Sequence, residues 1–193
     1  MLKLCIFAWF QQLIINKMRE VMLIGRQEER EILDDALKSN EAEMVAVIGR
    51  RRVGKTFLIK THYKKEIVFD ITGIQNGDLK IQLERFRDQL TKFLKPKINL
   101  PVPKDWFEAF KSLQEYLQSL PTDKKVVVFF DELPWLSTHK SKFLQAFGYF
   151  WNNWAWEQNL VVVICGSAAS WMIRKVVNNT GGLYNRITKR IYL

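Results

Sequence analysis

Cysteine is nearly absent: the 193 residues hold two, Cys5 and Cys165. They lie far apart, with no CxxC spacing and no Cys/His cluster beside them, so neither a disulfide framework nor a zinc site is indicated. A reducing cytosol is the compartment expected of such usage. Histidine is equally scarce, and His62 and His139 read as surface or helix-end positions without a catalytic role. The one long apolar stretch, MLKLCIFAWFQQLII at the start, is interrupted by Gln11 and Gln12 and followed by no small-residue cleavage pattern. It is also shorter than the roughly 20 apolar residues a membrane helix needs. An amphipathic extra helix, or a start at Met18 or Met22, accounts for it, and no membrane partner is expected. Internal repeats and low-complexity segments are missing as well.

What is present has an ordinary globular balance, 48% hydrophobic and 26% charged residues, in a length that fits one domain with a sizeable core. The net charge of +10 suits an anionic partner, and nucleotide, nucleic acid and a membrane surface all qualify. Basic residues are scattered except at Arg50 to Arg52 and in the last stretch, which carries Arg174, Lys175, Arg186, Lys189 and Arg190. No reading helix or aromatic platform of the usual nucleic-acid modules is recognisable.

From Gly25 onward helical and strand patterns alternate, the signature of a parallel sheet covered by helices. A helix is expected over 27–38, a buried strand over 44–48, a helix over 56–63 and a strand over 67–71. The turn-rich TGIQNG follows. Leu79, Leu83, Phe86, Leu90 and Phe93 mark the next helix by steps of four and three. Pro96, Pro101 and Pro103 then enforce a loop, and Asp105 with Glu108 predicts a capping box for the helix bearing Trp106, Phe110, Leu113, Leu117 and Leu120. The strongest strand is 126–130. A helix through Phe143, Phe147, Phe150 and Trp154, a strand over 161–165 and a last strand beginning at Arg190 complete the series. The aromatic and leucine stripes read as core faces.

The segment GRRRVGKT, residues 49–56, matches GxxxxGK[ST] between an expected strand and an expected helix, the context that a phosphate-binding P-loop requires. Gly49 and Gly54 let the backbone bend so that successive amides point at phosphate, and the helix start adds its own amides and dipole. Arg50, Arg51, Arg52, Val53 and Phe57 complete the nucleotide-contacting set. Lys55 brings a full charge to the β and γ phosphates, and the Thr56 hydroxyl is placed to ligate Mg²⁺. The bland alternative is a glycine turn that merely joins strand to helix.

Asp131 ends the strand of VVVFFDE and reads as a second metal ligand, of the Walker B type, direct or through water. Glu132 points elsewhere and can orient or deprotonate an attacking water. Such acidic pairs also cap helices, which is the alternative here. Gly166 and Ser167, after the fourth strand, form a softer site: either Ser167 senses the γ phosphate or the water, or Ser167 or Ser170 is the N-cap of the next helix. Cys165 reads as a small core residue. ATP with Mg²⁺ is the expected ligand pair, and the absence of an NKxD-like guanine motif does not by itself exclude GTP.

LIGRQEE, VIGRRRVGKTFLIK, FFDELPWL and VICGSAASWM together resemble the ATPase module of the archaeal-type ATPase family, a branch of the AAA-like and STAND P-loop NTPases, over residues 22–193. The resemblance implies an α/β fold, a three-layer P-loop NTPase core of the ASCE/AAA-like kind with a mostly parallel sheet flanked by helices. It implies that Ile24, Gly25 and Arg26 lie near the adenine. In GGLYNRITKR it makes Arg186, and after it Arg190, candidates for acting on the γ phosphate, against the alternative of a salt-bridged surface arginine. Residues 1–21 are then an N-terminal extension. Members of this family usually continue into a helical lid and a winged helix. The chain ends at Leu193, which implies a core without them: either a truncated reading frame, or a site that another chain completes. The implied function is a Mg²⁺-dependent ATPase or ATP-driven switch. A nucleotide-binding module without turnover and an ATP-regulated nucleic-acid-associated protein stand as alternatives, with nucleic acid or protein as a further partner.

Overall fold

The computed structural model describes residues 25–94, 100–121, 123–178 and 181–193. The N-terminal extension, Ile24, Cys5 and Pro96 lie outside them. Five strands form one sheet: β1 (Glu43–Ile48), β2 (Ile67–Thr72), β3 (Val126–Asp131), β4 (Leu160–Gly166) and β5 (Lys189–Tyr192), in the order β2-β3-β4-β1-β5. Every pairing is parallel. Parallel strands need crossovers, and helices supply most of them. These are α1 (Gln27–Lys38), which precedes the sheet, α2 (Lys55–His62), α3 (Leu79–Phe93), α4 (Trp106–Gln118), the single turn α5 (Leu133–Leu136), α6 (Phe143–Asn153) and the short α7 (Ala169–Met172). Among the described residues no helix is long and apolar enough to cross a membrane.

Strands β1, β3 and β4 are apolar on both faces because both faces are covered. On one face Val45, Val47, Val127, Phe129, Val161, Val163 and Cys165 pack against Leu33 and Ala36 of α1, Leu58 and Ile59 of α2, and Tyr63 just after it. On the other, Met44, Ala46, Ile48, Val128, Phe130, Val162 and Ile164 meet Leu83 and Phe86 of α3, Trp106 and Phe110 of α4, and Phe143 and Phe147 of α6. The expected three-layer α/β architecture is therefore present.

The second face is unusually aromatic. The ring of Phe110 sits 5.2 Å from Phe150, 5.7 Å from Phe143 and 5.8 Å from both Phe130 and Phe147. Such pairs add to the burial of large apolar surfaces. Phe110 thus ties α4, α6 and β3 together, and with them the strand that ends in Asp131.

Local signals explain the boundaries. Asp78 caps α3 by accepting from the Ile81 amide at 2.9 Å, and Asp105 caps α4 by accepting from Glu108 at 2.9 Å. The return half of the expected capping box differs: Glu108 Oε2 accepts from the amide of Lys104 at 2.6 Å, one residue before the cap. The chain enters α4 fully extended, with Asp105 at φ −153° and ψ −179°, so the preceding amide is within reach of the glutamate. In β2 the pairing with β3 shifts register between Ile67 and Phe69, and the carbonyl of Val68 accepts instead from Tyr116 Oη at 3.1 Å.

Phe110→Ala should cost about 3–5 kcal/mol, the range for emptying a large aromatic site in a packed core. The measurement is the urea unfolding midpoint at unchanged slope. A loss under about 1 kcal/mol would show that the aromatic cluster does not hold β3 in place.

Candidate functional site

The order of strands dictates where a ligand can sit. In open parallel sheets, loops that diverge from adjacent strands leave a crevice at the carboxyl ends. Here that crevice lies at the ends of β1 and β4, beside β3. The loop after β1, residues 49–54, bends through two left-handed residues, Arg52 (φ 65°) and Gly54 (φ 91°). Gly54 takes that conformation without strain and serves as the N-cap of α2 with no side-chain bond to the first amides. Those amides stay available as donors for an anion, reinforced by the helix dipole. Lys55 is almost fully buried, and its ammonium donates to the carbonyls of Gly49 at 2.8 Å and Arg50 at 2.7 Å, which holds the charge across the loop.

A cavity of about 620 Å³ opens here, lined by Arg51, Arg52, Gly54, Lys55, Thr56, Phe57 and Glu132. Three cations face one carboxylate, so the cavity favours a polyanion.

Thr56 Oγ1 donates to Asp131 Oδ2 at 2.7 Å, joining the start of α2 to the end of β3. Asp131 is buried, and its other oxygen accepts from the Glu132 amide at 3.0 Å. A hydroxyl and a carboxylate are hard oxygen donors of the kind Mg²⁺ takes, usually few from the protein and the rest from phosphate and water. No cluster of three or more His, Cys, Asp or Glu exists among the described residues. The donor set therefore fits Mg²⁺ bound together with a phosphate ligand. Cys165 is buried in the same layer, and its burial, with the Asp131 charge behind it, pushes the thiol pKa well up. It stays a neutral core residue.

Glu132 adopts a left-handed backbone (φ 48°, ψ 51°), which turns its side chain away from that of Asp131. Its Oε2 accepts from the Ser167 hydroxyl at 2.8 Å and from the Ser167 amide at 3.1 Å. Ser167 is thus committed to Glu132. The N-cap of α7 is Ala168, with no side-chain cap, so neither Ser167 nor Ser170 serves as the N-cap there.

Ahead of α1, Gly25 (φ 80°) and Arg26 (φ 58°) are both left-handed. Arg26 donates to the Val53 carbonyl at 3.3 Å and pairs with Glu29 at 3.0 Å, so this segment lies against the loop. Arg50 and Phe57 are exposed at the loop and at the first turn of α2. His62, the last residue of α2, meets Asp34 at 3.0 Å; burial lowers its pKa despite that carboxylate.

Arg186 is a correction. It lines a separate cavity of about 660 Å³ with Asn40, Glu41, Gln158 and Thr188, around the amino ends of β1 and β4. The parallel register Val45↔Lys189 to Ile48↔Tyr192 puts the residues just before Lys189 at that end. The six residues of β1, about 20 Å of strand, separate it from the loop at Gly49. Within this chain it reaches no phosphate held there. Arg190 projects from mid-strand in β5, opposite Ala46, and is exposed.

Two residues escaped the sequence reading. The guanidinium of Arg51 lies 5.2 Å from the ring centroid of Trp135 and donates to Gln75 Oε1 at 3.5 Å. Both partners stood in stretches read only as a motif and a turn.

A family described as an ATPase domain predominantly from Archaea matches residues 23–193. An uncharacterised protein of Methanocaldococcus jannaschii is 29% identical over 168 residues, 86% of this chain and 34% of that protein. An uncharacterised ATP-binding protein of the same organism is 50% identical over 40 residues, 21% of this chain and 68% of that one. Among solved structures, the Walker-type ATPase of Pyrococcus abyssi has a TM-score of 0.64 at 20% identity, over 88% of this chain and 53% of its own. The ORC2 protein of Aeropyrum pernix has a TM-score of 0.51 at 17% identity, over 90% and 48%. These two likenesses establish the fold, and the chain spans from about a third to about half the length of the longer proteins it matches. The loop, the acidic strand end and the match over residues 23–193 agree: this chain belongs to the family of nucleotide-binding ATPase domains found predominantly in Archaea.

Proposed function

We propose that the chain binds ATP with Mg²⁺ at residues 49–56 and hydrolyses it to ADP and phosphate. One observation carries the reading: Thr56 and Asp131, 75 residues apart in sequence and the only pair expected to share a metal, are in direct hydrogen-bond contact at 2.7 Å. The loop amides and Lys55 bind the β and γ phosphates, and Arg26 with Gly25 lies on the side of the loop where the adenine would rest. Mg²⁺, when bound, neutralises developing phosphate charge and fixes the phosphate geometry.

The remaining work belongs to the chain. Glu132 accepts a proton from the attacking water, and both Ser167 bonds fall on Oε2, leaving Oε1 for that role. Ser167 acts as a positioning residue: it fixes the carboxylate, and its hydroxyl stands next to the water's path. Attack in line with the departing ADP needs little covalent chemistry from the protein and much positioning. Of the arginine run at 50–52, Arg51 and Arg52 line the nucleotide pocket, where their charge favours a polyanionic ligand.

Phosphate release from Mg²⁺-ATP by the full chain is the primary test. Glu132→Gln should lower the rate about 10²–10⁴-fold, the usual worth of a positioned general base, while ATP still raises the melting temperature. ATP binding without release in the unmodified chain would leave a nucleotide-binding module and sink the hydrolytic reading. Asp131→Asn should weaken the metal site, so that half-maximal activity or ATP-dependent stabilisation needs several-fold more Mg²⁺. An unchanged Mg²⁺ dependence would remove Asp131 from the metal.

A further inference from the structure

With Arg186 at the far end of the sheet, a second cation for the γ phosphate, beside Lys55, has to come from another residue lining this pocket. We propose that Arg51 is the specificity-determining arginine of this site. It recognises the γ phosphate and so favours nucleoside triphosphate over diphosphate, and Trp135 and Gln75 are its positioning residues. The inference rests on the nucleotide reading given above and goes beyond it by assigning discrimination to one side chain.

The geometry makes the case. Arg51 lines the same cavity as Lys55, Thr56 and Glu132. Its guanidinium is aimed by its contacts: the Trp135 ring lies 5.2 Å from Cζ, and Gln75 Oε1 accepts at 3.5 Å. Trp135 stands one turn after Glu132, and its amide donates to the Glu132 carbonyl at 2.8 Å. Stacking on Trp135 therefore brings the guanidinium to the side of the pocket that carries the carboxylate. That is where the end of a triphosphate and the attacking water meet, away from the α and β phosphates over the start of α2.

The platform is built in. A Cβ on Gly73 would come within 2.9 Å of Trp135 Cβ and 2.7 Å of the Glu132 carbonyl oxygen, so only glycine lets this turn seat against the loop after β2. The Gly73 amide donates to the Asp131 carbonyl at 2.9 Å. Beyond it, buried Gln82 clamps the same loop through Ile74, accepting from its amide at 3.1 Å and donating to its carbonyl at 2.7 Å. That clamp holds the neighbouring Gln75 within reach of Arg51.

Charge and shape favour this assignment. A guanidinium is planar, permanently charged and able to stack on an aromatic face while its edge donates two parallel bonds to phosphate oxygens. Lysine can supply the charge and cannot supply that geometry. Arg51 is exposed at the mouth, so the extra charge of a third phosphate is offset only when a ligand brings one.

The test compares two probes on the full chain by calorimetry in the presence of Mg²⁺: the non-hydrolysable triphosphate AMP-PNP and ADP. In Arg51→Ala, AMP-PNP affinity should fall about tenfold or more, as for loss of a bond to a charged group, with ADP affinity within about twofold. Arg51→Lys should recover only part of the loss. Trp135→Ala should lower AMP-PNP affinity selectively, and Trp135→Phe should restore it because a ring remains to stack on. Melting curves of each variant separate misfolding from lost recognition, and the lysine and phenylalanine variants keep the test open if an alanine variant fails to fold. Equal losses for both nucleotides, or none, would overturn the assignment of Arg51 while leaving the nucleotide site intact. Failure of the unmodified chain to bind either nucleotide would instead overturn the site reading itself, and this inference with it.

Discussion

The hydrogen bond between Thr56 and Asp131 is the constraint on which the site depends. The two residues belong to elements that are not sheet neighbours: β4 separates β1 from β3. Strands lie about 4.8 Å apart, so the ends of β1 and β3 are roughly 10 Å from each other, too far for a threonine at the end of β1 itself. Only a helix that leaves β1 and leans across the face of β4 can bring a hydroxyl to Asp131, and α2 does this by packing Leu58 and Ile59 on that face. Cys165 occupies β4 beneath the contact, paired in register with Val47. A small neutral side chain there leaves room for the bond above it.

The same constraint divides the labour between adjacent carboxylates. Asp131 follows the alternation of β3 and shares the face of Val127 and Phe129, toward α2. Were Glu132 to continue the strand, it would point to the opposite, aromatic layer, where a charge would be desolvated without a partner. The left-handed turn at Glu132 avoids that and swings the side chain along the carboxyl edge to Ser167, at the end of β4. One backbone conformation therefore explains why an acidic pair has one member bonded to Thr56 and the other to Ser167.

Much of this was legible in the sequence, for identifiable reasons. The buried strands announced themselves as unbroken apolar runs because both faces of the sheet are covered, and the helices did so through their three-and-four spacing. GRRRVGKT and FFDE were legible because each concentrates its chemistry within a few adjacent residues. Strand order was not, since strands apolar on both faces carry no mark of their neighbours. That gap misplaced Arg186: a position soon after the fourth strand gave no warning that β5 runs parallel to β1 and returns the chain to the amino edge first. The single turn of α5 and the wide turn over Ile173–Val177 are too short for periodicity to register. The partners of Arg51 and Ser167 are non-local and appear only once the sheet is assembled.

Those non-local partners also show how the site is divided mechanically. Lys55 is tied to carbonyls of its own loop, and Thr56 to Asp131, so the loop is fixed to β1 and the start of α2 to β3. Glu132 is tied to β4 through Ser167. Arg51 spans from the loop after β1 to the elements after β2 and β3, through a ring contact and one long polar contact, both at the exposed mouth of the pocket. Contacts of that kind are weak individually and exchange readily with solvent or with a stronger anion. The rigid bonds therefore lie where geometry must be fixed before a ligand arrives. The exchangeable one lies at Arg51, where the proposed discrimination between tri- and diphosphate requires a side chain that can leave its resting contacts for a ligand.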